Sequence, residues 1–327
     1  MKRMLCSAIC LALLAFYAMP ASAQVNTTAN APSVLEPDGR NKLKPATFNF
    51  LKVATNARVA GMGGAFTAVA DGVDGMIWNS AGLSSVEKFA YSLNYSTWLV
   101  SSKFFSGGVA FNTDYGVFGM HVVTFQLPAI KETTALVPDG TGKYVETGDM
   151  AIGVVYARQL TDKLSAGASM RYLQSKLGAE TLNAVSFNVN TLMYTGYRSL
   201  RLGMNLKNLG GEQEIVNQKS EMPLVFHVGL AMELLGELGD PMSLTASAEG
   251  AYFTDSRQRW NFGGELWIQN ILALRAGTKL HYDAETWSVG GGVRHTFGGR
   301  RIQADISYSN FGSLFEAPLR FSFSGSF

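Results

Sequence analysis

The chain has 327 residues, of which 47% are hydrophobic and 16% are charged, and it contains 35 glycines. Its net charge is +2, and the sequence contains no block of like charges. Both observations argue against a nucleic-acid-binding protein. Beyond residue 23, no segment approaches the roughly 18 uncharged apolar residues that a membrane-spanning helix needs. Only helices and closed β-barrels satisfy every backbone polar group in lipid, so a closed β-barrel is a serious candidate.

Residues 1–23 have the organisation of a secretory signal peptide. Lys2-Arg3 precedes an apolar run over residues 5–19, and Ala21-Ser22-Ala23 provides small residues for cleavage. A transmembrane anchor is the alternative interpretation, but the apolar run is short for one. We therefore predict an exported protein with a cleaved signal peptide. Both cysteines lie in that peptide, so the mature protein is predicted to have no disulfide.

Two segments without strand alternation follow the signal peptide. Residues 24–50 are predicted to be a polar, mobile lead-in, and residues 51–88 are rich in glycine and alanine. Gly61-Met62-Gly63-Gly64 could suggest a dinucleotide site, but Phe66 stands where that fingerprint needs another glycine. Small residues allow a backbone to pack tightly against other elements. We predict that residues 51–88 form an amino-terminal hatch inside the lumen of a wide barrel.

From residue 89 onwards, apolar and polar residues alternate along fourteen candidate strands that are bounded by turn residues. The predicted strands are 89–98, 104–113, 116–127, 148–159, 163–173, 183–195, 200–209, 223–234, 242–253, 258–269, 271–282, 286–296, 301–310 and 318–327. Most reach the 9–11 residues that a tilted transmembrane strand needs. If the amino end starts in the periplasm, the long connections fall mainly on the outer side, as in bacterial outer-membrane barrels.

The sequence therefore predicts an all-β protein with a membrane-spanning antiparallel β-barrel of about 14 strands over residues 89–327. Its predicted location is the outer membrane of a Gram-negative type of cell, with lipid of that membrane around it. A solenoid would show a fixed repeat, which the sequence lacks. A soluble sandwich is not excluded by alternation alone, but strand length and the asymmetry of the connections favour the barrel.

The last predicted strand has one apolar face, on which Leu319, Phe321, Phe323 and Phe327 lie. In a barrel this strand closes against the first one, and Phe327 would lie at a membrane interface, where aromatic residues collect. Outer-membrane proteins commonly end in this way. That resemblance implies that Phe323 and Phe327 form a signal for the barrel assembly machinery.

Charged residues lie on the polar face of the predicted strands. A charge facing lipid at the membrane midplane would cost about 2–4 kcal/mol, so these side chains are predicted to face the lumen. We favour a paired ionic network that supports the hatch, and the alternative is a lumen selective for anionic or amphipathic ligands. The residues are Arg171, Arg201, Lys207, Glu233, Glu249, Glu265, Arg275, Lys279, Arg294, Asp305 and Arg320.

Motifs for catalysis, metal binding or cofactor binding are not found in the sequence. The four histidines are scattered over four predicted strands without the spacing of a metal site. Neither a G-x-S-x-G elbow, nor a P-loop, nor H-E-x-x-H is present. We predict a protein that is not an enzyme and uses no cofactor. Outer-membrane enzymes that assemble catalytic residues from distant strands remain an alternative.

Several stretches resemble the PorV/PorQ family of FadL-like outer-membrane β-barrel proteins. The most specific is Trp78-Asn79-Ser80-Ala81-Gly82-Leu83, which resembles the family's W-N-P-A-G-L with Ser80 in place of the proline. Weaker matches are Gly203–Gly210 and Leu272–Gly277. The residues of the predicted hatch motif are Gly61, Gly63, Gly64, Asp71, Trp78, Asn79, Ser80, Ala81, Gly82 and Leu83.

The resemblance implies a fourteen-stranded barrel with a hatch and leads to two predicted functions. FadL-like relatives pass hydrophobic molecules across the outer membrane, which predicts uptake or export of such molecules through a plugged barrel. PorV members serve the type IX secretion system, which predicts a docking or shuttle protein for secreted cargo. The predicted partners are accordingly hydrophobic small molecules or type IX secretion components. The outer connections, with at most about twenty residues, weaken a large cargo-grasping role.

Overall fold

The computed structural model describes residues 46–134, 136–178, 180–215, 218–313 and 315–327. The predicted signal peptide, residues 1–23, and most of the predicted lead-in lie outside these ranges. In the part of the chain that is described, no helix has the length and apolar character needed to cross a membrane.

Fourteen strands form a closed antiparallel barrel. They are β1 (Phe89–Thr97), β2 (Lys103–Thr113), β3 (Gly116–Gln126), β6 (Thr147–Gln159), β7 (Leu164–Leu177), β8 (Glu180–Tyr194), β9 (Arg201–Leu209), β12 (Val225–Leu235), β13 (Met242–Phe253), β14 (Arg259–Ile268), β15 (Leu272–Leu280), β16 (Trp287–Phe297), β17 (Arg300–Ser309) and β18 (Leu319–Ser326). Each strand pairs with its neighbour in the chain, and β18 pairs with β1 to close the ring. The predicted fourteen-stranded barrel is confirmed, and the largest shift of a strand boundary is at the end of β7, which continues to Leu177.

Two hairpins lie outside the barrel, within connections that the sequence had predicted as loops. One pairs β4 (Ile130–Lys131) with β5 (Tyr144–Val145), and the other pairs β10 (Gln213–Ile215) with β11 (Gln218–Ser220). Their strands are only two or three residues long, so each is too short to produce a readable alternation. The end of the barrel that carries these hairpins is called the loop side below, and the opposite end is called the turn side.

The two faces of the barrel wall differ in chemistry. On β17, Asp305 is 5% exposed and faces the lumen, whereas its neighbour Ile306 is 46% exposed and faces outward. This alternation follows from the two-residue period of a strand. The outer face of the wall carries aliphatic and aromatic side chains, while the lumen is lined by serine, asparagine, glycine and charged residues.

Residues 46–88 lie within the ring of strands. The short helix Ala57–Gly61 contacts β15, β16, β17 and β18, while the 3₁₀ turn Ser80–Ser85 contacts β3, β6, β7 and β8. These contacts lie on opposite arcs of the wall, so the segment crosses the lumen. Phe48 and Phe50 are each 5% exposed and pack near Phe104, so the packed region includes residues 46–50, which the sequence had assigned to the lead-in.

Candidate functional site: a hatch fixed to the barrel wall

The local sequence of the hatch favours short turns rather than a strand. The Asn56 side chain accepts hydrogen bonds from the amides of Arg58 and Val59, at 2.8 and 3.2 Å, and so caps the helix Ala57–Gly61. The helix stops after one turn because Gly63 and Gly64 follow with φ values of +65° and +80°. Glycine adopts this left-handed conformation without steric cost, which lets the chain reverse inside a narrow space.

The strongest polar link between hatch and wall is an ion pair. Arg58 donates to both carboxylate oxygens of Glu265, with N···O distances of 2.8 and 2.7 Å. Glu265 also accepts a bond of 2.6 Å from Arg275, and Arg275 donates to Asp305 at 2.7 Å. All four side chains are buried, so the network is shielded from screening by solvent. Arg58 of the hatch is thus joined to a row of alternating negative and positive side chains on three strands of the wall.

Two acids of the hatch lie beside the same arginine. Asp71 and Asp74 approach Arg58 at 3.8 and 3.7 Å. Burial opposes ionisation of Asp71, but the guanidinium groups of Arg301 and Arg58 hold the pKa of this carboxyl below its ordinary value. Burial raises the pKa of Asp74, and the attraction of Arg58 does not offset it. The pKa values of the two neighbouring acids are therefore shifted in opposite directions.

A second link involves Glu249 of β13. Its carboxylate accepts hydrogen bonds from the backbone amides of Phe66 and Thr67, at 3.0 and 2.8 Å. Its other oxygen lies 2.6 Å from Nδ1 of His227. A wall carboxylate thus satisfies two amides of the hatch where the hatch has no regular secondary structure.

The hatch motif forms a third link, on the opposite arc of the wall. The Asn79 amide donates to the carbonyl oxygens of Thr67 and Thr191, at 2.7 and 3.1 Å. Its oxygen accepts from the amide of Ala81 at 3.0 Å. The Ser80 hydroxyl donates to Asn190 at 2.6 Å, a bond that the family's proline could not form. At position 80, a hydrogen bond to the wall therefore replaces the backbone constraint that the ring of proline would impose.

Apolar contacts complete the motif. Leu83 and Ala81 are fully buried, and Leu83 packs in a cluster with Val155 of the wall. Trp78 is half-buried, and the Lys207 ammonium lies 4.5 Å from the centre of its ring. The motif therefore places one large aromatic side chain towards the open part of the lumen.

Inward-facing glycines of the wall allow the hatch backbone to approach closely. A Cβ added at Gly203 would lie 2.4 Å from the carbonyl oxygen of Thr67. One added at Gly277 would lie 2.2 Å from the amide nitrogen of Gly63. Both distances are too short for a real contact, so these strand positions require glycine. We call Gly203, Gly263 and Gly277 the glycine seat of the hatch.

The loop-side cavity has a volume of about 220 Å³ and is bounded below by the hatch. Its apolar lining includes Trp78, Trp98 and Phe311. Basic side chains from the strands and the connections also face it, among them Lys207 and Arg259. The cavity therefore combines aromatic rings with charged groups, and its lining also includes Lys279, Asp283, Glu285 and Arg320.

A second cavity lies at the turn side, on the other side of the hatch. Its volume is about 590 Å³, and it is lined by Arg58 and Asp71 of the hatch and by Arg294 of the wall. The Arg294 guanidinium lies 3.8 Å from the centre of the Trp267 ring. The hatch therefore separates a small, partly aromatic cavity from a larger and more polar one.

The remaining predicted lumen charges face inward as separate contacts rather than as one network. Arg201 pairs with Glu233 at 2.5 Å. Arg320 donates to the carbonyl oxygen of Ala54 at 2.9 Å. Lys279 pairs with Glu285 at 2.5 Å. Arg171 donates to the carbonyl oxygen of Ile77 at 3.3 Å. Among the described residues, no group of acids, histidines or cysteines could hold a metal ion.

Sequence reasoning missed several residues of the hatch interface. Asn190 and Asn205 of the wall bond the hatch, Arg58 of the hatch bonds Glu265, and none of the three was predicted as a site residue. The signal that could have found the asparagines is their position on the inward parity of long strands, where an amide side chain needs a partner.

The predicted assembly residues lie at the seam between β18 and β1. The Phe327 ring lies 6.0 Å from that of Phe89 and 6.2 Å from that of Tyr91, measured between ring centres. Phe323 lies 6.0 Å from Tyr91. Backbone bonds also join Phe327 and Phe89, at 2.8 and 3.3 Å. An aromatic cluster therefore covers the turn-side end of the seam.

Comparison with known proteins places this barrel and its hatch in a family. The family model for the type IX secretion system protein PorV matches residues 37–233. No curated protein sequence matches the chain.

Solved structures with the same fold are outer-membrane barrels of low sequence identity. The Ralstonia pickettii toluene transporter TbuX has a TM-score of 0.59 and 14% identity, over 86% of this chain and 100% of that one. The Pseudomonas putida toluene transporter TodX has a TM-score of 0.58 and 14% identity, over 83% and 96%. A Pseudomonas aeruginosa FadL homologue has a TM-score of 0.51 and 11% identity, over 84% and 98%. The chain therefore belongs to the family of the type IX secretion system protein PorV, and its structure is that of a FadL-like barrel of the outer membrane.

Proposed function

We propose that this protein binds hydrophobic or amphipathic molecules in the loop-side cavity and passes them through the barrel when the hatch shifts. The observation that carries the proposal is the position of Trp78, which belongs to the hatch and lines that cavity. A ligand that packs on Trp78 would therefore contact the hatch, which is the segment that blocks passage of that ligand through the barrel. TbuX and TodX, which share the fold, are described as toluene transporters.

The energetics of the hatch interface support a movable plug. Burial of apolar surface stabilises by about 25 cal/mol per Å², and a ligand that covers Trp78, Trp98 and Phe311 would gain such energy in the loop-side cavity. The hatch is held by polar bonds, by close backbone contacts at the glycine seat and by buried apolar clusters, such as that of Leu83 with Val155. Polar bonds can be exchanged for others during a shift, so the shift we propose is one that keeps these apolar clusters covered.

A docking role in type IX secretion is the second candidate. The family match supports it, and so does the loop-side hairpin β4–β5. Near this hairpin, Leu136, Tyr144 and Ile130 are 93%, 66% and 57% exposed. Exposed apolar side chains grouped on a connection are typical of a protein-binding surface. In this role the barrel would anchor the hairpin, and the hatch would only close the pore.

Both functions share further proposals about biogenesis. We propose that residues 1–23 are a signal peptide removed on export from a Gram-negative type of cell, and that the barrel assembly machinery inserts the chain with β18 as its signal. The apolar outer face would then contact outer-membrane lipid. We propose no enzymatic activity.

A reversible lock tests the proposed passage. The hydroxyls of Ser84 in the hatch and Ser165 in β7 lie 2.9 Å apart, and the chain has no cysteine beyond residue 23. The double variant Ser84→Cys/Ser165→Cys can therefore form a single disulfide. We expect oxidised cells to lose uptake of toluene and of decanoate and to regain it after reduction, while Ser84→Cys alone is unaffected.

The same lock separates the two candidates. If the oxidised variant takes up both molecules at the normal rate, passage past a moving hatch is wrong. The docking role predicts that the lock leaves binding of secretion components unchanged. It also predicts that shortening the β4–β5 hairpin abolishes that binding without altering uptake.

A further inference from the structure

A group of buried polar side chains lies on the wall opposite the Arg58–Glu265 ion pair. His121 of β3, Gly153 of β6, Arg171 of β7 and Ser186 of β8 stand side by side in the strand register. These four residues form one row on the lumen side of the wall, next to the hatch. Lys207 of β9 lies nearby, within electrostatic range of Arg171. The row and Lys207 together are called the basic cluster.

Gly153 has no side chain, so the side chains of His121 and Arg171 can extend over it. A Cβ added there would lie 2.5 Å from Cε1 of His121 and 3.0 Å from Cγ of Arg171. The two side chains therefore lean over the glycine from both sides and converge on one region of the wall. The neighbouring hatch residues Ile77 and Trp78 cover this region, through the Arg171 bond to the Ile77 carbonyl and the Lys207 contact with the Trp78 ring.

The members of the basic cluster are buried but poorly satisfied. His121, Arg171 and Lys207 are 3%, 3% and 4% exposed. Among the described residues, both ring nitrogens of His121, Nε of Arg171 and the Ser186 hydroxyl lack a hydrogen-bond partner. The guanidinium of Arg171 has five donors, and in the part of the chain that is described its hydrogen bond is a single long one of 3.3 Å to the Ile77 carbonyl.

Three other buried arginines in the lumen differ in this respect, whereas Arg320 bonds a carbonyl and a hydroxyl. Arg58, Arg201 and Arg275 each contact a carboxylate within 2.8 Å. In the described part of the chain, neither Arg171 nor Lys207 forms an ion pair with an acid. An arginine stays charged in a protein interior, and a buried charge is normally paired, so the basic cluster has an unmet need for negative charge.

We propose that the basic cluster is a binding site for an oxyanion, that is, a carboxylate, phosphate or sulfate group. Arg171 and Lys207 would supply charge, and His121 and Ser186 would add neutral donors to the remaining oxygens. Lys207 and Trp78 also line the loop-side cavity, so the oxyanion is either a free anion or the head group of an amphiphile whose chain lies among the aromatic rings. The site does not depend on passage of that ligand through the barrel.

Binding to the purified barrel in non-ionic detergent tests this site. Sodium sulfate, sodium phosphate and sodium decanoate are titrated at constant ionic strength, with sodium chloride as the reference, and tryptophan fluorescence and the unfolding temperature are recorded. We expect saturable changes in the wild-type protein. With sulfate and phosphate, the fluorescence change should disappear in Trp78→Phe, because Trp78 lies against Lys207.

The variants Arg171→Met and Lys207→Met are expected to weaken binding at least tenfold, since a hydrogen bond to a charged group contributes about 1.5–3 kcal/mol. The matched control is Arg294→Gln, which removes a lumen cation at the turn side and should leave affinity unchanged. Heat-modifiable migration on gels shows whether each variant has assembled. If Arg171→Met does not assemble, Lys207→Gln provides the test, because the Lys207 ammonium lies against the Trp78 ring and forms no ion pair among the described residues.

The outcomes separate the two sources of the anion. Sulfate or phosphate binding that depends on the basic cluster supports a site for free oxyanions, and decanoate binding alone supports a head-group site. An absence of saturable binding by all three anions in the wild-type protein would overturn the proposal. Equal affinity of the wild type and of the assembled Arg171 and Lys207 variants would also overturn it.

Discussion

Arg58 in the hatch donates two hydrogen bonds to the carboxylate of Glu265 in the wall, at 2.8 and 2.7 Å. The two residues are 207 positions apart in the chain, and both are almost completely buried. Paired bonds of this kind fix orientation as well as distance. The pair therefore sets the position of the helix Ala57–Gly61 against β14 and makes the hatch part of the barrel structure.

Removal of this carboxylate should loosen the hatch. In Glu265→Gln, Arg58 and Arg275 would face each other without a negative charge between them. Breaking a buried pair in this way typically costs about 3–5 kcal/mol. We expect a lower unfolding temperature and faster amide exchange in the hatch. The control is Glu146→Gln, which breaks the exposed pair with Lys176 and should cost about 1 kcal/mol or less.

The glycine seat makes a steric prediction. In Gly203→Ala, the new methyl group would lie 2.4 Å from the Thr67 carbonyl, so the hatch has to move away from the wall. We expect higher ion conductance in planar bilayers and new protease cleavage between residues 61 and 83. Gly264→Ala is the matched control, because its methyl group would meet nothing closer than 3.8 Å. Equal conductance of the two variants would show that the close contact does not position the hatch.

The two hatch acids predict opposite pH responses. The folded-state pKa of Asp71 lies below its unfolded value of roughly 3.9, so its stabilising contribution is complete above that pH and is lost as pH falls through the folded value. The pKa of Asp74 is raised, so folding favours its protonated form and its contribution falls as pH rises through that value. We expect Asp71→Asn to lower hatch protection at pH 7 and Asp74→Asn to keep or increase it, as measured by hydrogen exchange.

Asp71→Asn also tests whether protonation of Asp71 loosens the hatch at low pH. Protection of the wild-type hatch should fall as pH drops below the unfolded value of roughly 3.9 and through the lowered folded pKa of Asp71. The Asp71→Asn variant should show a smaller fall, since it has already lost that charge. A variant that loses protection as steeply as the wild type would mean that other carboxyls control the acid response.

The aromatic cluster at the seam predicts an effect on assembly. In Phe327→Ser, the ring contacts with Phe89 and Tyr91 are lost, while the backbone pairing of β18 with β1 can still form. We expect less heat-modifiable barrel in outer-membrane fractions and unchanged uptake per assembled molecule. Phe315→Ser, which alters an exposed phenylalanine in the last connection, should assemble normally. Normal amounts of the Phe327→Ser variant would show that the terminal ring does not contribute to assembly.

The strands were predictable because their signal is local. Ile302 to Tyr308 alternate in polarity, and each residue reports which face of β17 it occupies without reference to the rest of the chain. The inward position of charges such as Asp305 follows from the same pattern and from the cost of charge in lipid. The ion-pair partner of a charged residue has no such local signal in the sequence. Nothing near Arg58 in the sequence indicates that its carboxylate is Glu265, 207 residues away.

The hatch was less predictable for a related reason. Its small residues indicated close packing, but the surfaces they pack on belong to distant strands, such as Gly203 and Gly277. Phe48 and Phe50 were assigned to a polar lead-in because their immediate neighbours are polar. Their burial depends on Phe104 and Met222, which only the closed barrel brings to that position.

Ion conductance of single barrels in planar bilayers tests the central claim, that residues 61–83 fill the lumen between the two cavities. The comparison is between the intact protein and a variant that lacks these residues but migrates as an assembled, heat-modifiable barrel. We predict that the intact protein is nearly closed to ions and that the deletion opens a large, stable conductance. An intact protein that already conducts like an open porin, or a deletion that leaves the conductance unchanged, would contradict the account.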